Sequence, residues 1–438
     1  MGWVASLVLL LGLLCLLLAI GLPVAFAFIG VNIVGAVVFL GGEAGLHQLA
    51  RNAAGSVGVF SLTPIPLFVL MGEVLFHTGV AFRAIEAIER LIARVPGRLA
   101  IVSVIGGTIF AALSGSSLAN TALLGSVLLP EKLKRGYHPS IAMGPIMAVG
   151  GIAMLIPPSA LAVLLGSLAG ISISGLLIGG ILPGLLMGAF FLGHVILRCT
   201  FNPALAPAYE VTIGHGWQRW RPFVINVLPL SGIFFAVIGT MLAGWATPTE
   251  SAAFGSVAAV AAAAGYRVLT PANLILSLRE TAKISVMILF IIVGSTTFAQ
   301  ILAFSGATNG FLDAMTTYQW SRLGLVVGMQ LVLLFLGCFV DQVSMIMITL
   351  PFFVPLAQAT GIDLLWLGVL ILISMEISFL TPPFGLLLFV MQGVAPKGTT
   401  ITQIYRAALP FLALELVVLV LIVGFPGLAT WLPSLTRP

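Results

Sequence analysis

The sequence predicts an all-α polytopic membrane protein containing two copies of one unit, inserted from opposite sides of the bilayer. Three observations predict it: a composition too apolar for a soluble globule, a self-match in which prolines and glycines coincide, and basic residues that crowd around one copy only. Of the 438 residues, 60% are hydrophobic and 7% charged. Mean hydropathy is +1.21. That is too little polar surface to cover a soluble fold of this size.

Taken in order, apolar runs at 4–29, 172–197, 222–243, 284–304 and 407–424 each approach the roughly 20 residues that a helix needs to cross the hydrocarbon layer. They are too long for barrel strands and do not alternate, so the spans are helical. The first run opens Met-Gly-Trp, with no basic n-region and no cleavage site leading into a soluble domain, and is expected to be a retained first helix. Cys15, Cys199 and Cys338 are too dispersed for a disulfide framework, and His47, His77, His138, His194 and His215 are too scattered for a metal site. The net charge of +5 comes mostly from loop Lys and Arg, so it speaks of topology and not of nucleic acid. The whole chain, 1–438, reads as one membrane domain.

A shift of 225 positions carries Pro130 onto Pro355, Gly136 onto Gly361, Pro157 onto Pro382 and Pro158 onto Pro383. Each match falls where a hydrophobic run is interrupted. Both copies begin with an apolar stretch cut by a polar tip: 99–113 and 118–130 around "SGSS", then 323–337 and 343–355 around "FVDQ". At 1.5 Å per residue neither half is expected to span, which predicts a re-entrant hairpin ending at mid-membrane. A longer apolar helix broken by Pro-Pro follows, at 139–168 and 362–394. Two adjacent prolines remove two donors and free the carbonyls of the preceding turn.

Charge orients the copies. Arg83, Arg90, Arg94 and Arg98 precede the first hairpin, and Lys132, Lys134 and Arg135 follow it, seven of the 18 basic residues. The second has Arg322 before it and no basic residue up to Asp363. By the positive-inside rule the first inserts from the cytoplasm and the second from the other side, which makes an inverted-topology repeat.

Broken helices at membrane depth concentrate partial charges, and they persist only where freed backbone lines a cavity or meets protein. At the first tip the hydroxyls of Ser114, Ser116 and Ser117, the Asn120 amide and the carbonyls around Leu155, Ile156 and Pro157 offer oxygen ligands to a hard cation, with Gly115 letting the chain turn. By the same register Gly337, Cys338, Asp341 and the "FLTPP" break at 379–383 form a second cation site, now with a carboxylate. The plainer alternatives are close helix packing for Ser and Gly, kinks for the proline pairs, and a water-reaching hairpin end for Asp341. Glu376 is either functional or a buried structural hydrogen-bonding group. "EKLKR" at 131–135 reads as an anchor at the cytoplasmic interface, and "WQRWRPF", with Trp217, Arg219, Trp220 and Arg221, as an interfacial anchor rather than a spanning helix. A polytopic enzyme would need a nucleophile and base in one constellation, and the chain has no GxSxG or HExxH, so no enzymatic activity is expected.

"ALSGSSLANTALLGSVLLPEKLKRGYHPS", "LIPPS", "WATPTESAAFGS", "FLGCFVDQVSMIMITLPFFVPLAQATGID" and "FLTPPFGLLLFV", in this order over most of the chain, resemble the large membrane subunit (DctM type) of tripartite ATP-independent periplasmic (TRAP) transporters. The resemblance implies a sodium-coupled importer of a small organic acid in the bacterial inner membrane, working by an elevator motion and co-transporting two or more Na+ ions. It implies a transport part at 99–168 and 322–394, and a scaffold mainly at 1–98 and 198–268. Its partners would be a small membrane subunit of about four helices, a periplasmic substrate-binding protein, the organic acid and membrane lipid. Carried over, the first sodium site falls on Ser114, Gly115, Ser116, Ser117 and Asn120 with the break at Ile156 and Pro157, and the second on Gly337, Cys338, Asp341, Thr381 and Pro382. The substrate would lie between the tips, against Ser116, Pro158 and Pro383 and touched by Ser295, Thr296 and Thr297 in a polar "GSTTF" break. In "WATPTESA", Glu250 is functional or simply part of a helix start, since Thr-Pro-Thr-Glu is an ordinary one. The alternative is a stand-alone divalent-anion/sodium symporter without a binding protein, in which Ser-Asn-Thr is expected at both tips.

Overall fold

Proline, glycine and capping residues decide where the apolar runs become helices. The computed structural model describes residues 1–91, 97–207, 217–318 and 320–435, with the side chains of Ala81, Arg90, Leu113 and Ser114 left aside. Arg94 and His215 therefore lie outside the described residues, among which there is no strand. The first apolar run is two helices, α1 (Trp3–Ala19) and α2 (Val24–Phe39), which corrects the single helix expected over 4–29. Gly21 takes a φ of +85° and Pro23, without an N–H, starts the new helix. Next come α3 (Glu43–Val57), α4 (Pro64–His77) and α5 (Val80–Leu91).

The first repeat is α6 (Arg98–Ser114), α7 (Ser117–Lys134), α8 (Pro139–Gly151) and α9 (Ala160–Ala169). It is followed by α10 (Ile173–Phe201), α11 (Trp217–Asn226), α12 (Leu228–Leu242), α13 (Pro248–Gly265), α14 (Pro271–Phe304) and α15 (Ala307–Thr317). The second repeat is α16 (Arg322–Leu336), α17 (Gln342–Thr360), α18 (Leu364–Leu380) and α19 (Leu386–Val394), and α20 (Ile401–Gly424) and α21 (Gly427–Ser434) close the described chain. The 225-residue offset reappears in the helix bounds: α7 starts at Ser117 and α17 at Gln342, α8 at Pro139 and α18 at Leu364, and α9 ends at Ala169 and α19 at Val394.

The copies also pack reciprocally, α7 on α19, α8 on α18 and α9 on α17. Between the repeats, α10, the α11–α12 run and α14 are each long and apolar enough to cross a membrane. Around the repeats, α14 lies against α2, α3 and α4, and α13 against α4 and α12.

Three further expectations change. α17 runs past Pro351 and Pro355 to 19 residues and is long and apolar enough to cross by itself, so the second hairpin's arms are unequal. "WQRWRPF" is helical as α11 and leads into α12, together an apolar span from Trp217 to Leu242; Trp217 and Trp220 remain exposed, and the Arg219 guanidinium donates to the Leu91 carbonyl. Lys132 is not an interfacial anchor: it is fully buried, its amine donating to the Ala142 carbonyl at 3.0 Å, which ties α7 to α8. A lone ammonium that loses water needs such an acceptor.

Glu250 takes the structural option. It closes a capping box at the start of α13, accepting from the Thr247 N–H at 2.7 Å and the Thr247 hydroxyl at 2.8 Å. The backbone hydrogen bond holds this exposed carboxyl below its ordinary range, so its contribution is present above the ordinary carboxylate pKa and lost as pH falls.

A candidate ion and substrate site between two hairpin tips

At the first tip α6 ends in a left-handed turn at Gly115, φ +58°. Two demands meet there, because a Cβ on Gly115 would also lie 2.6 Å from the Pro158 carbonyl oxygen. The tip is thus pressed against the break between α8 and α9. Ser116 is extended and caps α7, its hydroxyl accepting from the Ala119 N–H at 3.3 Å. At the second tip Gly337 ends α16 with an ordinary φ of −61°, but its Cβ would fall 2.3 Å from the Ser378 Cβ. Here too the glycine is the point at which a tip touches the neighbouring broken helix.

Asp341 stands at the position equivalent to Ser116 and does the same work. Its Oδ2 accepts from the N–H of Val343 at 3.0 Å and of Ser344 at 3.2 Å, and Oδ1 from the Ser344 hydroxyl. Gln342 reaches across to Ser378, Nε2 donating to the hydroxyl at 2.8 Å.

The two tips meet at one cavity of about 380 Å³. Gly115, Ser116, Ser117, Asp341 and Gln342 line it from the tips, Met154 and Ser159 from the first break, and Phe379 and Leu386 from the second. Phe68, Val69 and Glu73 of α4 and Ile284, Met287 and Ile288 of α14 also line it. Ser159 caps α9 and Glu73 pairs with His77 at 3.0 Å; neither stood out in the sequence, although Ser159 follows the Pro-Pro pair directly and Glu73 and His77 are one helical turn apart.

Other expected ligands stand elsewhere. Asn120 is fully buried and its amide N–H groups donate to the Gly107 and Val149 carbonyls, both at 3.1 Å, tying α7 to α6 and α8. Its Oδ1 and the Oγ1 of Thr121 are buried acceptors with no partner among the described residues. Ile156, Pro157 and Pro158 are buried in the break behind the tip and do not line the cavity. Cys338 and Thr381 turn back on their own helices, the thiol to Leu334 O at 3.4 Å and the hydroxyl to Ile377 O at 2.7 Å. Pro382 and Pro383 lie past the end of α18, and the Pro383 carbonyl accepts from the Tyr405 hydroxyl at 3.0 Å.

Ser295, Thr296 and Thr297 require a correction. "GSTTF" is not a break, because α14 is continuous from Pro271 to Phe304. All three hydroxyls donate to carbonyls of their own helix, at 2.8–3.3 Å, and none of them lines the cavity. Serine and threonine in a membrane helix satisfy themselves this way without unwinding it. Beside them Gly294 packs on Phe28 and accepts a hydrogen bond from Asn32, so the segment is the joint between α14 and α2.

Residues 11–428 match the family described as the DctM component of the tripartite ATP-independent periplasmic transporter. The chain belongs to this DctM family. It is 31% identical to the C4-dicarboxylate TRAP transporter large permease protein DctM of Pseudomonas aeruginosa, over 86% of each chain. It is 30% identical to the sialic acid TRAP transporter large permease protein SiaM of Vibrio cholerae, over 96% of each. Among solved structures, the YdaH transporter of Alcanivorax borkumensis shares the fold, with a TM-score of 0.62 at 14% identity over 88% of this chain and 89% of that one. This DctM subunit is thus a multi-pass inner-membrane permease component and not an enzyme.

Proposed function

We propose that this DctM subunit imports a small organic acid handed over by a periplasmic binding protein, together with a small membrane subunit, and that sodium ions bound at the tips drive it. The observation that carries this reading is the single cavity shared by both tips, both helix breaks and α4 and α14. A solute held there touches the end of α7, which a neutral serine caps and whose N–H groups favour an anionic group, whereas the first N–H groups of α17 are already held by the Asp341 carboxylate. The unpartnered Asn120 Oδ1 and Thr121 Oγ1 supply the kind of acceptor that a sodium ion near the first tip would satisfy, and Asp341 supplies a carboxylate at the second. In this reading α6–α9 and α16–α19 move as one body past α4, α13 and α14, because separating them would leave the freed carbonyls of each break without protein around them, at several kcal/mol each.

The test is uptake into proteoliposomes containing both membrane subunits, with the binding protein outside. The panel is C4-dicarboxylate, sialic acid, isethionate and ectoine, the solutes named for relatives. One of these is expected to accumulate only with the binding protein present and sodium higher outside. Uptake without either would refute the proposal. The motion has its own test: single cysteines at Ser117 and Val340, with Cys15, Cys199 and Cys338 replaced, should label from opposite sides of the membrane and be protected by sodium. Labelling of both from one side under every condition would exclude an elevator.

A further inference from the structure

Among the described residues the cavity between the tips is lined by two acids, Glu73 and Asp341, and by no lysine, arginine or histidine. Asp341 is engaged by its own helix, holding the first N–H groups of α17 and the Ser344 hydroxyl. Glu73 stands on α4, outside both hairpins, and its side chain keeps 12% of its surface exposed. His77, one turn along α4, meets its Oε2 at 3.0 Å. A neutral imidazole there orients the carboxylate without cancelling its charge. Lys283 of α14, the helix packed beside α4, is held by Glu280 at 2.6 Å. Glu376 and Glu415 are fully buried and do not line the cavity; the Glu376 carboxyl has no hydrogen-bond partner among the described residues, so the structural bond that the sequence allowed for it is not made there.

The groups that favour an anion in this cavity are of another kind. Ser116 and Ser159, both neutral, cap α7 and α9, and the first residues of these helices, Ser117 and Leu118, Ala160 and Leu161, line the cavity as well. Helix starts without a charged cap favour a carboxylate. They make room for one anionic group at the first tip, since the start of α17 already has its own. A second carboxylate on the same solute would share the cavity with Glu73 and Asp341 and meet no basic side chain in its lining. Like charges brought together in a site with little water repel strongly, whereas an ammonium or amidinium group beside Glu73 is attracted and finds an acceptor. The lining thus offers one kind of partner to a carboxylate and another to a cation.

We propose that Glu73 determines the substrate class of this cavity by receiving a cationic group of the solute, so that the transported acid carries one carboxylate and one ammonium or amidinium group and is not a dicarboxylate. This rests on the reading that the solute occupies the cavity, and it narrows the organic acid of that reading to a zwitterion.

The test is solute binding to the complex of both membrane subunits in bilayers, at fixed sodium and without the binding protein, read from the rise of melting temperature with solute concentration. The probes are γ-aminobutyrate, succinate and butyrate, chains of equal length that end in an ammonium, a second carboxylate and a methyl group. The wild type is expected to bind γ-aminobutyrate about tenfold or more tighter than succinate, with butyrate between them. Glu73→Gln should erase that order by weakening γ-aminobutyrate and strengthening succinate, whereas Glu73→Asp, which keeps the charge, should preserve it. Co-elution with the small subunit checks that the variants fold. If Glu73 serves only to pair with His77, Glu73→Gln lowers the melting temperature of the unliganded complex and leaves the order of the solutes unchanged, which overturns the inference. Equal or tighter binding of succinate by the wild type overturns it too, as does a complex that none of the three stabilises. The uptake panel tells this failure from failure of the reading beneath it: accumulation of the C4-dicarboxylate that requires both sodium and the binding protein keeps that reading and overturns this inference.

Discussion

Ser116 and Asp341 occupy equivalent positions in the two repeats, and each caps the helix that descends from its tip. Around them the tips differ. The first turns at a left-handed glycine wedged under the Pro158 carbonyl; the second turns through Cys338, Phe339 and Val340, with Gly337 against the side chain of Ser378. The first capping group is neutral and the second is a carboxylate holding three donors. What is common to both copies is backbone geometry: an end of helix, a cap, and close contact with the break of the next helix. Side-chain charge has been free to diverge because serine and aspartate cap equally well. A repeat of this kind preserves a place for a ligand while allowing the two places to bind differently.

The largest expected effect tests the turn itself. Gly115→Ala adds the penalty of a left-handed residue, about 1–2 kcal/mol, to a contact with a backbone oxygen that cannot rotate away. Gly337→Ala meets no such backbone penalty and only overpacks Ser378, at about 1–3 kcal/mol. The first substitution should abolish recovery of the folded complex with the small subunit, whereas the second should lower its melting temperature and be rescued by Ser378→Gly. Equal damage at both sites would show that the tips are held in the same way after all.

A smaller effect is expected at Asn120, whose counterpart in the second repeat is Met345, buried without a polar role. Asn120→Met imitates the second copy and removes both hydrogen bonds from the amide. A loss of roughly 2 kcal/mol in the stability of the complex is expected, at about 1 kcal/mol for each bond. Sodium-dependent uptake should weaken more than the yield of protein. Unchanged stability would mean that the Gly107 and Val149 carbonyls find other donors.

The sequence revealed the repeat and the two tips because both depend on proline, glycine and capping residues, whose effect on the backbone is local and strong. Positions 116 and 341 fell on equivalent caps for that reason. It did not reveal that α1 and α2 separate, although Gly21 and Pro23 signal it, because apolar length was the stronger signal over 4–29. The scaffold wall of the cavity was hidden altogether: Glu73, Ile284 and Met287 reach it only through the packing of α4 on α14. "GSTTF" misled for the opposite reason, since small polar residues that break one helix are satisfied within the next. Lys132 misled as well, because a basic cluster at a helix end reads as solvated until an acceptor such as Ala142 appears from another helix.

The smallest expected change in stability is also the sharpest test of what the tips have kept in common. Asp341→Ser gives the second tip the cap of the first, and Ser116→Asp does the reverse. Both residues cap with nearly equal strength, so each swap should alter the stability of the complex by no more than about 0.5 kcal/mol, against about 1 kcal/mol for alanine at either position. Ion binding should not be so indifferent. If the carboxylate contributes to a sodium site, Asp341→Ser should raise the sodium concentration for half-maximal uptake about tenfold, equivalent to about 1.4 kcal/mol. Ser116→Asp should shift it in the opposite direction or slow release, since a charge then faces the same cavity from the first tip. Parallel thermal melts and uptake curves separate the two roles. Melts near wild type with displaced sodium curves would assign capping to the backbone geometry and binding to the charge. Melts and sodium curves that fall together would show that Asp341 acts only through the helix it caps, and the second tip would then cease to be a candidate ion site.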